Sequence, residues 1–443
     1  MFANIIILIL VLLALIFSIS KWRIHPFIAL ILSAIVLGTT LGLGGESTIS
    51  VVLQGFSETL KWIAVIIILG AFIGEVLRET GGAFRISNRI VKWVGEKKLP
   101  WAMGFTGYIV SIPVFVDVAY ILLQPVVESL SFKSKRPVLY LGLSLAAGLT
   151  VAHTLIPPTP GPLAVASLLG VEMGRMLIIN LIVATFAMIG GILWVIFFLK
   201  NSWIDYDKKL QDIYKEEQTT THNELPKGNW LLDIMPIIVP IVLISTGSFV
   251  TDNLSGWVGD ALGFMSIPLI AVYIGAFIAV FQIAKKDKKN KVNRLVEQAI
   301  TKSALVIMIT GAGGALGFVI KASGIQNEIV QIFSDFPFLG AMLPFVVAAI
   351  LTTATGSITV SLVGTASMLG PIIDNFPMSP EIVAAIIGCG AFCVFHVNSS
   401  FFWLLNRLHE VPPKVLYKTF TAQSLIMGLS GLIGVLILVL FGV

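Results

Sequence analysis

Apolar runs of about 20 residues recur from one end of this chain to the other, and that is the length an α-helix needs to cross ~30 Å of hydrocarbon. Such runs stand at 2–20, 26–43, 58–77, 138–172, 175–199, 231–250, 264–284, 303–320, 381–403 and 421–442. Two further apolar segments, 100–130 and 337–374, do not fit as simple crossings. Of the 443 residues, 56% are hydrophobic and 12% charged, whereas a soluble domain carries about 25% charged residues. A soluble enzyme or a nucleic-acid binder is therefore excluded, and the first partner is the lipid bilayer. Phe2 to Ser20 has no basic n-region and no small-residue cleavage site, so it reads as a retained span and not a signal peptide. Cys389 and Cys393 share one apolar run, and with no further Cys or His cluster neither a metal site nor a cofactor is expected.

The basic residues alternate between loops. With both termini outside, 26 of the 29 Lys and Arg fall on the cytoplasmic side, and only Lys61, Arg175 and Lys321 fall outside. That asymmetry sets the expected orientation in a bacterial inner (plasma) membrane. It also accounts for the net charge of +5 without an anionic macromolecule as partner. Arg85 to Lys98 repeats charge at helical spacing and reads as a surface helix on lipid headgroups.

The two odd segments follow from this map. Residues 100–130 are flanked on both sides by basic residues, Lys97 and Lys98 before and Lys133 to Arg136 after, so both flanks are inside. About 30 residues cannot make two crossings of ~20 each plus a turn. The segment is expected to enter from the cytoplasm, turn and leave on the same side. Residues 337–374 have flanks with almost no basic residues and are expected to dip in from outside. Irregular backbone at that depth is tolerated only where protein or water covers it, which points to a central, partly wet site.

An internal repeat supports the same plan. Gly70-Ala-Phe-Ile-Gly74 aligns with Gly313-Gly-Ala-Leu-Gly317 at an offset of 243, and His153 meets His396 at that offset. Each half then holds five spans and one hairpin, and an odd number of spans turns the second half upside down. The expected fold is an all-α polytopic membrane protein of two inverted repeats, each with five transmembrane helices, one re-entrant hairpin and a broken helix at mid-membrane. The first repeat covers 1–200, a cytoplasmic connector 201–230, and the second repeat 231–443. Inverted repeats with interrupted helices are the architecture of alternating-access carriers.

The residues able to do chemistry sit where the helices break. The first hairpin carries Ser111, Pro113, which cannot donate a backbone hydrogen bond, and the acid Asp117, expensive in an apolar stretch unless it meets water or a partner. The second hairpin carries Thr355, Gly356 and Ser357, hydroxyls around a turn that glycine permits. In the first long span His153-Thr154 precedes Pro157, Pro158, Thr159, Pro160 and Pro162, which cannot form one continuous helix. Its counterpart is His396-Val-Asn398-Ser399-Ser400. Freed carbonyls and exposed helix ends at such breaks can hold a small solute. Ser111, Pro113, Thr154, Pro157, Thr159, Thr355, Gly356, Ser357, Asn398, Ser399 and Ser400 are the expected binding residues. Asp117, His153 and His396 are the candidates for proton coupling, since histidine titrates near physiological pH.

These motifs resemble the gluconate permease family (gluconate:proton symporters) of the ion transporter superfamily. The resemblance spans nearly the whole chain. Its marks are Glu79-Thr-Gly81-Gly82-Ala83, Pro113-Val-Phe-Val-Asp117, the proline block led by His153, Thr310-Gly-Ala-Gly-Gly314, Ala354-Thr-Gly356-Ser357-Ile-Thr359, and His396-Val-Asn398 followed by Phe402-Trp403. It implies proton-coupled uptake of a small organic anion such as gluconate, with other hydroxylated carboxylates or D-serine in relatives. It also implies a homodimer with a scaffold and a moving transport region. Four positions depart from the family: Thr352 replaces Arg, Ser399 replaces Asp, Thr159 replaces His and Phe401 replaces Gly. If that Arg clamps the carboxylate elsewhere in the family, a smaller or less polar hydroxy acid of the lactate or hydroxybutyrate kind fits here better. Sodium coupling and antiport remain open alternatives. A channel would need a continuous pore, and an enzyme would need a nucleophile and base that the sequence does not place together.

Overall fold

The computed structural model describes residues 2–95, 98–199, 228–250, 257–283, 288–325, 337–397 and 399–442. Among them the structure is helical with no strand, as lipid demands of a chain that must satisfy its backbone groups within each segment. The first half runs α1 (Phe2–Ser20), α2 (Pro26–Thr40), α3 (Gly45–Thr80), α4 (Gly82–Val94), α5 (Leu99–Val110), α6 (Val116–Ser134), α7 (Val138–Leu155), α8 (Pro160–Leu169) and α9 (Met173–Phe198). The second runs α10 (Trp230–Val250), α11 (Trp257–Ser266), α12 (Pro268–Val280), α13 (Lys288–Ala322), α14 (Pro337–Thr355), α15 (Ile358–Leu369), α16 (Pro380–Ala391), α17 (Ser400–His409) and α18 (Ala422–Leu440). Most of the connector 201–230 lies outside the described residues.

Several boundaries differ from the hydropathy reading. α3 begins at Gly45, well before the apolar run at 58–77, because Glu46 to Lys61 are compatible with helix although too polar to register as a span. The expected span 264–284 is two helices, α11 and α12, meeting at 77°. Pro268 opens α12 and has no N–H with which to continue α11. The second broken helix extends past 403 to His409. Five helical stretches among the described residues are long and apolar enough to cross a membrane, one of them counted across the α7–α8 break, and two bent pairs bring that to seven. Their outward faces carry exposed Leu, Ile and Phe, among them Phe197, Phe277 and Leu436.

Two antiparallel helix pairs join the halves. The C-terminal end of α3 meets the N-terminal end of α13 through ions. Buried Glu75 accepts from Arg78 at 3.0 Å and from Lys302, Arg78 also donates to Gln298 at 3.3 Å, and Arg294 pairs with Glu79. At the other end the backbones touch. A Cβ placed on Gly314 would stand 2.7 Å from the Gly55 carbonyl and would overlap the Thr59 side chain. α9 and α18 pack the same way, with Gly191 against Met427 and Gly434 against Phe186.

α4 is amphipathic, with Ile86, Ile90 and Val91 buried and Arg89, Lys92 and Trp93 exposed. The Arg89 guanidinium lies over both Trp93 and Trp230, at 5.0 and 5.1 Å, and the two rings meet edge to face. Arg85 departs from the expected headgroup role. It turns inward and grips Asp233 of α10 through two hydrogen bonds of 2.7 Å, while a third nitrogen donates to the Thr80 carbonyl. The two side chains are 10% and 2% exposed. Breaking one partner of a buried pair strands the other charge, at a cost of about 3 kcal/mol or more. Asp233→Ala is therefore expected to lower the thermal midpoint of the detergent-purified protein by several degrees; an unchanged midpoint would contradict a buried pair here.

Candidate functional site

The first hairpin turns at 111–115, between α5 and α6. Pro113 interrupts the helix, and the Ser111 hydroxyl closes the turn by donating to the Val114 carbonyl at 3.1 Å. The tip seats on α3 where Gly74 leaves room, since a Cβ there would overlap the Pro113 carbonyl. Asp117 lies in the first turn of α6, where backbone N–H groups are left free by the helix start. One carboxylate oxygen accepts from the Ser400 hydroxyl of α17 at 3.3 Å. The other is buried and has no hydrogen-bond partner among the described residues.

The proline block breaks the first long span as expected: α7 ends at Leu155 and α8 starts at Pro160, with a cis peptide between Pro157 and Pro158. The carbonyls freed at the end of α7 are partly satisfied. Asn180 of α9 donates its amide to the Leu155 carbonyl at 2.8 Å. Thr154 donates to Thr150 and Thr159 to Ile156, each to a backbone carbonyl, so both hydroxyl hydrogens are used locally. The His153 ring lies 5.7 Å from that of Phe115 on the hairpin, and its Nδ1 has no partner among the described residues. Between this break, the hairpin tip and Gly70 of α3 remains a cavity of about 10 Å³, room for one water at most.

The second hairpin turns at Gly356, whose φ of +70° suits glycine. Thr355 donates to the Leu351 carbonyl and accepts from the Ser357 N–H, while Ser357 caps α15 by accepting from the Val360 N–H at 3.3 Å. The second break separates α16 from α17. His396 Nε2 lies 2.8 Å from the Thr353 carbonyl of the hairpin. Ser399, buried, donates its backbone N–H to the His396 carbonyl, and the Ser400 side chain is exposed. Asn398 lies outside the described residues. Thr352 donates to the Ala391 carbonyl at the end of α16.

Each histidine thus joins its own break to its own hairpin, and Asp117 and Ser400 join the first hairpin to the second break. The two halves differ in access. In the first half Ser111, Pro113, His153, Thr154, Pro157 and Thr159 are buried and Asp117 is partly exposed, whereas in the second half Thr355, Gly356, Ser357 and His396 are all partly exposed. Among the described residues no three His, Cys, Asp or Glu side chains group as metal ligands. Sequence reasoning missed Asn180, and it read Gly74 as part of the repeat without its role under the hairpin tip. The amide of Asn180 stands alone in the apolar run 175–199, which is the kind of signal that marked Asp117.

A family model described as GntP family permease matches residues 3–441. An uncharacterised permease of Haemophilus influenzae is 32% identical, over 97% of this chain and 91% of that protein. A gluconate permease of Pseudomonas aeruginosa is 30% identical, over 96% and 95%. A D-serine transporter of Escherichia coli is 28% identical, over 95% of each. Among solved structures, the YdaH transporter of Alcanivorax borkumensis superposes with a TM-score of 0.63 at 14% identity, covering 94% of this chain and 97% of that one. MtrF of Neisseria gonorrhoeae, from a class of antimetabolite efflux pumps, gives 0.66 at 12% identity, covering 95% and 96%.

Leaving the Leu155 carbonyl without its donor should destabilise the break by about 1–3 kcal/mol. Asn180→Leu is expected to lower both the thermal midpoint and transport; a variant with wild-type values in both would show that the amide has no part in holding the break.

Proposed function

The chain belongs to the GntP permease family, as a multi-pass membrane transporter and not an enzyme, and from that premise we propose that it takes up a small hydroxylated carboxylate, coupled to protons, by elevator-type alternating access. The observation that carries this reading is the convergence of two helix hairpins and two broken helices, tied through Asp117 and Ser400 and through His153 and His396.

The inverted plan has support at two levels. Shifted by 243, the first residues of α2, α3, α6 and α7 land within one residue of the first residues of α12, α13, α15 and α16. The equivalent helices α3 and α13 run antiparallel, as do α9 and α18, and antiparallel equivalents are what an inverted duplication produces. On this reading 1–200 and 231–443 are the two repeats, the hairpins are re-entrant from opposite sides, the basic ends are cytoplasmic and both termini are outside. The closed first pair and the more open second pair suit one end state of an alternating cycle. The hairpins and breaks would move together along α3 and α13, whose facing surfaces are glycines: Gly70 and Gly74 against Pro158 and Pro113, Gly313 against Val363 and Ser367. Assembly as a homodimer rests on the resemblance alone.

The substrate would be held by the partly exposed hydroxyls of Thr355, Ser357 and Ser400 and by backbone at the breaks. Thr352 favours a second reading within the same class. Its hydroxyl is spent on the Ala391 carbonyl, so the position that carries Arg in many family members offers no charge. A short hydroxy acid or D-serine then fits better than gluconate. Coupling is assigned to Asp117, with sodium as the rival ion.

Ligands that bind the folded state raise its thermal midpoint, so a screen of gluconate, glycerate, lactate, 3-hydroxybutyrate and D-serine ranks substrates. With the acid ranked first, an inward proton gradient across proteoliposomes is expected to drive concentrative uptake, and Asp117→Asn to abolish it. Equal uptake with and without the gradient would reject symport; concentrative uptake by Asp117→Asn would remove Asp117 from the coupling.

A further inference from the structure

α6 carries a polar stripe that the binding site does not use. Beyond Asp117, the side chains of Tyr120, Gln124 and Glu128 recur at spacings of three, four and four, which places them on one helix face. They descend from the hairpin tip towards the basic end marked by Lys133, Lys135 and Arg136. From Asp117 to Glu128 the stripe covers twelve residues, about 16 Å of helix. Tyr120 is fully buried and its hydroxyl lies 2.6 Å from Nε2 of His409, also buried, at the far end of α17. Gln124 donates to the Glu128 carboxylate at 2.9 Å. Three buried polar atoms here have no hydrogen-bond partner among the described residues: Asp117 Oδ1 and Gln124 Oε1 on α6, and His409 Nδ1 on α17. Buried polar atoms are nearly always satisfied, by protein or by ordered water. Ordered water between the two helices would satisfy all three.

We propose, on the proton-coupled reading above, that this face conducts the coupling proton between Asp117 and the basic end of the membrane domain, with the Tyr120–His409 pair as its relay. The Tyr120 hydroxyl passes its proton to His409 Nε2 and receives one from the Asp117 side. His409 releases the proton on Nδ1 to water, and Glu128 is the last acceptor before the surface. One proton enters and one leaves, so no co-reactant is needed. α7 presents Gly142 to the pair, where a Cβ would overlap the Tyr120 hydroxyl and stand 2.8 Å from the His409 ring. The titratable groups on the packed elements are Asp117, Tyr120, Glu128 and Lys133 of α6 and Tyr140 and His153 of α7, Tyr140 lying beside Arg136. Arg407 and Glu410, next to His409 in sequence, are exposed.

The test separates net proton movement from substrate movement. In proteoliposomes, with the acid ranked first in the thermal screen, Tyr120→Phe and His409→Gln are expected to cut gradient-driven uptake at least about tenfold while substrate counterflow, which needs no net proton transfer, stays within about twofold. Equal loss of both activities would make the pair structural and overturn the relay, as would wild-type values for both. A wild-type protein indifferent to the gradient would overturn the symport reading and the path together, whereas a responsive wild type with equally responsive variants overturns the path alone. Hydration is read separately: Gln124→Cys and Glu128→Cys should react with a membrane-impermeant thiol reagent from the cytoplasmic side, unlike the lipid-facing control Ile433→Cys. Failure of both to react would refute a wet path.

Discussion

The close crossing of α3 and α13 is the constraint on which the remaining packing depends. At one end Gly55 and Gly314 let the two backbones touch; at the other Glu75 is held between Arg78 and Lys302. A lipid-facing interface gains little from burying apolar side chains, so small residues and satisfied polar groups have to supply the contact energy. The ions set the register of the pair and the glycines set its separation. Both halves hang from this axis, because α2 packs on α13 while α12 packs on α3.

From that axis the site follows. α3 offers Gly70 and Gly74 to the first break and the first hairpin tip, and α13 offers Gly313 and Gly317 to α15. The contacts are not equivalent. The first hairpin rests on α3 by its tip, the second rests on α13 by its shank. One consequence is a first pair so closely packed that only about 10 Å³ remains, beside a second whose hydroxyls reach open space. An exchange of these two packings between the halves would be the physical content of alternating access.

Much of the helix plan was legible from local pattern. Phe2–Ser20, the proline break before Pro160 and the hairpin turn at Gly356 follow from apolar length, missing donors and glycine geometry, all of which act within a few residues. Hydropathy failed where polarity and helicity part company, as in the first turns of α3, and where one proline divides an apolar run, as at Pro268. The site's polar contacts were less accessible. Asp117 and Ser400 are 283 residues apart, Tyr120 and His409 are 289 apart, and Arg85 and Asp233 are 148 apart. No periodicity encodes such pairs, so Arg85 read as a headgroup contact although it faces Asp233. Asp117 and the two histidines stood out only because an ionisable side chain in a span needs a reason to be there.

The central claim is that the chain repeats itself upside down. Cysteines at Glu46 and Lys289, equivalent positions 243 residues apart near the starts of α3 and α13, measure this directly with an impermeant thiol reagent in right-side-out and inverted vesicles. The account predicts labelling on opposite faces, with a cysteine at Arg89 on the same face as Lys289. Labelling of Glu46 and Lys289 from one face would contradict the inversion and the alternating-access reading built on it.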